Sequence, residues 1–259
     1  MAVNSMFSLA GKVILVTGGY GWLGKTISLG LEEAGAQVVV LGRNQDKFDR
    51  LLGDRPAITF VATDVSKTAS IKNAYAKVSK RYNRIDCLIN NAHYGMGGPI
   101  DALSDEAWQA TMDGTVGNYH RCLREILPYF RKAGSGNIIN VSSMYGMVAP
   151  DFAAYDKHEQ FTNPPHYGAG KAATLQLTRY FAGLLGPENI RVNAISPGPF
   201  PSVAVQQEKA FMTELAKRTA LNRIGNPEEL QGAFIYLAGD ASSYVTGQNL
   251  VVDGGWTLT

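Results

Sequence analysis

The chain has 259 residues, 45% of them hydrophobic, with 24 basic and 22 acidic side chains and a formal charge of +2. That length can bury one large core, and so small a charge gives no electrostatic case for nucleic acid or an anionic membrane surface. Two cysteines, Cys87 and Cys122, make neither a disulfide framework nor a metal site, and no apolar stretch nears the ~20 residues of a membrane span. The N-terminus lacks the basic-then-apolar order of a secretory leader, so a cytoplasmic location is expected.

Short β-branched runs alternate with longer helical patterns. In chain order the spacing predicts a strand at Val13–Thr17, a glycine-rich turn, a helix at Gly24–Ala34, and strands at Gln37–Leu41 and Ile58–Ala62. A helix at Lys67–Tyr82 follows, then a strand at Cys87–Asn90. One long helix is expected over Ser104–Lys132, opened by Ser104, and a strand over Asn137–Ser142. Next come a helix at Tyr167–Leu185, a strand at Arg191–Ile195, a helix at Pro227–Ala238 with Asn226 as its cap, and a strand at Asn249–Val252. Runs this short and apolar suit strands buried on both faces, so the expected fold is α/β: one domain over 1–259, with a doubly wound, seven-stranded parallel sheet and helices on both faces. Two stretches break the alternation. Residues 147–166 are long and polar, and 197–221 begin Pro-Gly-Pro before turning helical; loops of this length are more often functional than idle.

Three groups of residues carry chemistry. Gly19-x-Gly21-x-x-Gly24 joins a strand to a helix, and glycines there let a backbone approach a pyrophosphate at the helix N-terminus. Tyr167 and Lys171 are four apart in a helix, so the ammonium can lower the phenol's pKa and make it an acid/base near neutral pH. Ser142-Ser143 ends an apolar run between them. Together with Asn90-Asn91-Ala92, this constellation resembles the short-chain dehydrogenase/reductase family along nearly the whole chain.

The resemblance implies a Rossmann-fold oxidoreductase acting on CH–OH donors, with Tyr167 as proton donor, Lys171 lowering its pKa and holding the nicotinamide ribose, and Ser143 binding the substrate oxygen. It implies dinucleotide contacts from Gly18, Gly19, Tyr20, Gly21, Trp22, Leu23, Gly24, Asp64, Val65, Asn91, Ala92, Tyr167, Lys171, Pro197 and Gly198. Gly42 stands where an NAD-preferring member carries an acid and Arg43 follows, which favours NADP, with NAD possible. Trp22 replaces a glycine usual in the shorter branch of the family. Counting from Trp108, Thr115 replaces the Asn that holds a water for a proton relay. His93 replaces a glycine, as a substrate or ribose contact or as a packing group. No metal is expected; a small-molecule substrate and a homodimer or homotetramer are.

Ser143 and Tyr167 lie 24 positions apart, about twice the separation usual in the family. The extra residues include Asp151, Tyr155, Asp156, Lys157, His158 and Glu159, which suggests a pocket wall for a hydroxylated or charged, sugar-like substrate. A similar insertion occurs in members tied to bacterial sugar and surface-glycan metabolism. The alternatives are reduction of a 3-oxoacyl thioester and, in a different class, a dinucleotide-binding redox sensor without turnover.

Overall fold

The computed structural model describes residues 3–97 and 100–258. Its strands are β1 (Val13–Thr17), β2 (Gln37–Gly42), β3 (Ile58–Ala62), β4 (Cys87–Asn90), β5 (Gly136–Val141), β6 (Ile190–Pro197) and β7 (Asn249–Val252). They form one parallel sheet ordered β3-β2-β1-β4-β5-β6-β7. The order reverses between β1 and β4, where Ile14, Leu15 and Val16 pair with Cys87, Leu88 and Ile89. In a doubly wound sheet that reversal opens a crevice at the carboxyl ends of the strands.

The two-residue period of the strands divides the core. Ile14, Val16, Val38 and Val40 pack on one face, while Val13, Leu15, Val39 and Leu41 pack on the other. The first face is covered by α1 (Trp22–Glu33), α2 (Gln45–Leu52) and α8 (Gln231–Ala238), through Ile27, Leu31, Phe48, Phe234 and Leu237. The second is covered by α3 (Thr68–Tyr82), α5 (Asn118–Ala133) and α6 (Pro165–Leu185), through Tyr75, Val78, Ile126, Phe130 and Leu185. Two further helices, α4 (Asp105–Met112) and α7 (Lys209–Lys217), stand at the crevice end. Cys87 and Cys122 are free and buried, and burial pushes each thiol up to about 12, so they behave as small apolar side chains. Among the described residues no helix is long and apolar enough to cross a membrane.

The strands fall within two residues of their expected bounds; the helices depart more. Helix α2 was not expected, because only Phe48 and Leu52 of its eight residues are buried; Asn44 starts it by accepting from Lys47 N at 2.8 Å. The helix expected over Ser104–Lys132 is broken into α4 and α5 by a π-helical turn, Asp113–Gly117. Within the turn Gly114 lets the Tyr94 backbone come close, since a Cβ there would lie 1.7 Å from the Tyr94 carbonyl oxygen. Ser104 is the N-cap, accepting from Ala107 N at 3.2 Å.

Candidate active site

The chain turns sharply after β1 at Gly18, whose φ is +63°, a region that favours glycine. A Cβ on Gly24 would lie 2.2 Å from the Gly18 carbonyl oxygen, so helix and turn touch as only glycine permits. Asn91, past the end of β4, clamps the turn: its Nδ2 donates to the carbonyls of Thr17 at 2.9 Å and Gly18 at 3.2 Å. Thr17 Oγ1 accepts in return from the backbone of Asn91 and Ala92. The two strands at the reversal point are thus locked where their loops begin.

Above this clamp lies a cavity of 700 Å³. Of the residues expected to contact a dinucleotide, all but Gly19 line it: Gly18, Tyr20, Gly21, Trp22, Leu23, Gly24, Arg43, Asp64, Val65, Asn91, Ala92, Tyr167, Lys171, Pro197 and Gly198. Gly19 faces inward instead; a Cβ there would sit 2.8 Å from Ser28 Oγ and 2.9 Å from Val40 Cγ2. The missing side chain lets α1 approach β2. The glycine cradle, the helix N-terminus at Gly21 and the volume fit a dinucleotide. Trp22, where the family usually has glycine, donates from Nε1 to the Phe200 carbonyl at 2.9 Å. It bridges the glycine turn to the loop after β6.

Gly42 has a local explanation. A Cβ there would come within 2.3 Å of the Tyr20 ring, and the Tyr20 hydroxyl accepts from the backbone N–H of Arg43 at 3.0 Å and of Asn44 at 3.1 Å. The phenol takes the space that a side chain at 42 would need. Arg43 is exposed at this rim, and Lys47 Nζ lies 5.6 Å from the Tyr20 ring centroid. Lys47 went unnoticed in the sequence because it belongs to the unexpected helix α2. Asp64 is tied to Ser66 by its backbone N–H and hydroxyl, and the Ser66 bonds hold its carboxyl below the usual range.

At the other end of the cavity stand Ser143, Tyr167 and Lys171. Ser143 follows β5 and hydrogen-bonds the Tyr167 phenol; its Oγ also accepts from Tyr145 N at 3.2 Å. Ser142 Oγ donates to the Lys171 carbonyl at 2.9 Å, fixing α6 against the sheet. Lys171 is 3% exposed, and its Nζ donates to the Val141 carbonyl at 2.7 Å. Burial lowers its pKa to about 7. Burial also holds the Tyr167 phenol above its ordinary value, against the Ser143 hydrogen bond that pulls it down. The lysine was expected to lower the phenol's pKa. With Nζ drawn to Val141 and 5.7 Å from the Tyr167 ring centroid, desolvation is instead the larger influence. His93 meets the Tyr167 ring edge to face at 5.3 Å, so it packs on the reactive side chain.

Thr115 lies outside the cavity lining. It is fully buried in the π turn, and its hydroxyl donates to the Thr111 carbonyl at 2.6 Å. A Cβ on Gly170 would lie 2.0 Å from that hydroxyl, so Thr115 seats α6 at Gly170. This places it as a packing contact of the Tyr167 helix, with its hydroxyl donated to the Thr111 carbonyl.

The stretch 147–166 was expected to form a polar wall of the substrate pocket; Tyr155, Phe161 and Asn163 do line a pocket, while the charged residues stay out of that lining. Asp156, Lys157 and Glu159 are exposed, and Asp151 pairs with Arg218 at 2.5 Å. Tyr155 and Ala154 turn inward, 4% and 2% exposed, to join Tyr145, Phe211, Leu215 and Trp256. Burying large rings outweighs any polar display by short loop residues. A second cavity of 240 Å³ lies here, shared by Ser143 and Tyr167 and walled by Tyr145, Tyr155, Phe161, Phe200 and Phe211 with Asn163. Phe200 and Phe211 come from the 197–221 stretch, so the two irregular segments line one pocket together, with Phe211 packed on Tyr155 and Phe161. The Tyr145 and Tyr155 hydroxyls hydrogen-bond each other.

The chain matches the family model described as Enoyl-(Acyl carrier protein) reductase over residues 22–257. A 3-oxoacyl-acyl-carrier-protein reductase, FabG, of Thermotoga maritima is 33% identical across 96% of this chain and 99% of its own. Gluconate 5-dehydrogenase of Gluconobacter oxydans is 31% identical across all of both. Among solved structures, a gluconate 5-dehydrogenase from Burkholderia cenocepacia in complex with NADP and tartrate superposes with a TM-score of 0.88, at 32% identity over 99% of each chain.

Proposed function

The chain belongs to the short-chain dehydrogenase/reductase family and is an NAD(P)-dependent oxidoreductase; on that premise we propose that it uses NADP(H) to interconvert a carbonyl and a secondary alcohol on an uncharged, sugar-like molecule. The observation that carries the substrate reading is the 240 Å³ cavity beside Ser143 and Tyr167, whose lining holds several aromatic faces, an amide and hydroxyls, and no charged side chain. Aromatic faces accept the C–H face of a ring, while Asn163 and the tyrosine hydroxyls offer bonds to ring hydroxyls. A carboxylate there would be buried without a counter-charge, which is costly. A neutral polyhydroxy ketone therefore suits this pocket better than a sugar acid, although gluconate dehydrogenases are among the relatives.

For the dinucleotide, Arg43 and Lys47 supply positive charge beside Tyr20, where a 2′-phosphate is recognised in this fold. Gly18, Gly21 and Gly24 with the α1 N-terminus would hold the pyrophosphate, and Pro197 and Gly198 the nicotinamide end. The bound group supplies the hydride. The chain supplies the rest: Ser143 hydrogen-bonds the substrate oxygen and the Tyr167 hydroxyl, Tyr167 gives its phenolic proton to that oxygen as negative charge grows on it, and the Lys171 ammonium offsets the charge left on the phenolate. Burial of Ser143 and Lys171, with Tyr167 half-buried between them, limits the access of water while charge develops.

One observation favours a second reading. Phe200, Val205, Phe211 and Leu215 give the pocket a run of apolar lining, which suits the short chain of a 3-oxoacyl thioester. NADPH oxidation with a neutral cyclic polyhydroxy ketone, 5-ketogluconate and acetoacetyl-CoA separates the cases. Preference for the neutral ketone supports the proposal; preference for the thioester replaces it with the second reading.

A further inference from the structure

Lys171 is held from a side the glycine, serine and tyrosine motifs do not touch. Its Nζ donates to the Tyr119 hydroxyl at 3.3 Å as well as to the Val141 carbonyl at 2.7 Å, and Tyr119 donates to the same carbonyl at 3.0 Å. The ammonium lies 5.2 Å from the Tyr119 ring centroid and 5.7 Å from that of Tyr167, within cation–π range of both. Tyr119 is 3% exposed and sits in the first turn of α5, directly after the π turn. The two described acceptors of the ammonium are neutral. The titratable groups facing it are Tyr119 from α5, Tyr167 from its own helix, and His93 from the loop after β4, which feels the Lys171 charge.

We propose that Tyr119 is a positioning residue for Lys171: its ring and hydroxyl, with the Val141 carbonyl, form a seat that keeps the ammonium charged and beside Tyr167. The proposal rests on the role given to Lys171 above, but the seat itself exists without substrate. A buried ammonium needs acceptors and polarisable faces to remain charged, and no carboxylate is offered here. Tyr119 provides both from one side chain. Burial holds its own phenol far above the ordinary range, so it stays neutral and does not compete as an acid.

The test compares the unmodified protein with Tyr119→Phe, which keeps the ring and removes the hydroxyl. The first readout needs neither dinucleotide nor substrate: ¹³C-lysine-labelled protein titrated by NMR, with the Lys171 resonance assigned from its loss in Lys171→Arg. Removing an acceptor of a charged donor should lower the Lys171 midpoint by about one pH unit. In the holoenzyme the alkaline limb of kcat/KM should move down by a similar amount, with the carbonyl KM unchanged. If the phenylalanine variant does not fold, 4-fluorophenylalanine at 119, which fills the place of the hydroxyl with a non-ionising and very weak acceptor, replaces it, and a downward shift is again expected. A midpoint that stays put in the variant overturns the proposal, whatever happens to activity. If the unmodified enzyme reduces no carbonyl, the proposed function fails, yet the titration still decides whether Tyr119 seats the lysine.

Discussion

Tyr20 fills the space that a side chain at position 42 would need, 2.3 Å from a Cβ built on Gly42, and its hydroxyl takes the N–H groups of Arg43 and Asn44. On this geometry, dinucleotide preference should depend on positions 20 and 42 together. Gly42→Asp alone should displace Tyr20 and cost stability without creating a good NAD site. Gly42→Asp with Tyr20→Gly should move preference toward NAD. Arg43→Ala should weaken NADPH by about tenfold or more, the scale of a lost charge-assisted bond, and leave NADH nearly unchanged. Fluorescence titration of both dinucleotides on each variant checks this.

Lys171 sets a pH dependence of stability. Its folded pKa of about 7 lies below the ordinary lysine value near 10.4. Between those values the unfolded chain binds the extra proton, so stability gained through this group rises with pH across about 7 to 10 and is lost below 7. Lys171→Met removes the dependence. The melting temperature of the unmodified protein minus that of the variant, measured without dinucleotide, should increase from pH 7 to pH 9 by about 2 °C or more. The two buried thiols affect both proteins equally and cancel.

The strands and the reversal of the sheet were legible because buried parallel strands leave apolar runs with little ambiguity, as in Val38 to Leu41. The glycine turn after β1 was legible because Gly18 and Gly24 are demanded by φ and by close approach. Residues whose parts depend on three-dimensional neighbours were not. Thr115 was placed by counting from Trp108, and only the π turn reveals that its hydroxyl is spent on Thr111. The polarity of 147–166 was averaged over its sequence, whereas burial selects Tyr155 inward and leaves Lys157 outside. Tyr119 carries no motif at all; only its distance to Lys171 marks it.

Trp22 tests whether the indole bridge matters to ligand binding. Trp22→Phe keeps a ring and deletes the donor to the Phe200 carbonyl. A net hydrogen bond is worth about 1 kcal/mol, so NADPH affinity should fall about fivefold while the fold stays intact. An unchanged dissociation constant by calorimetry would mean that the loop after β6 is held without the bridge.

Tyr155→Phe leaves the buried Tyr145 hydroxyl without its partner. An unpaired buried hydroxyl costs about 1–3 kcal/mol, so the melting temperature should drop by several degrees. Turnover of a polyhydroxy ketone should suffer more than that of an unsubstituted cyclic ketone of equal size, because the second has no hydroxyl to bind. Equal losses would make the tyrosine pair a packing element alone.

The most direct test is steady-state NADPH oxidation with a neutral polyhydroxy ketone by the unmodified protein and by Tyr167→Phe. The phenylalanine variant keeps the ring and loses the transferable proton. The account predicts turnover by the unmodified enzyme, a kcat lower by about 10²-fold or more in the variant, and nearly equal NADPH affinity in both. Comparable kcat values in the two proteins would remove Tyr167 from the chemistry and contradict the account at its centre.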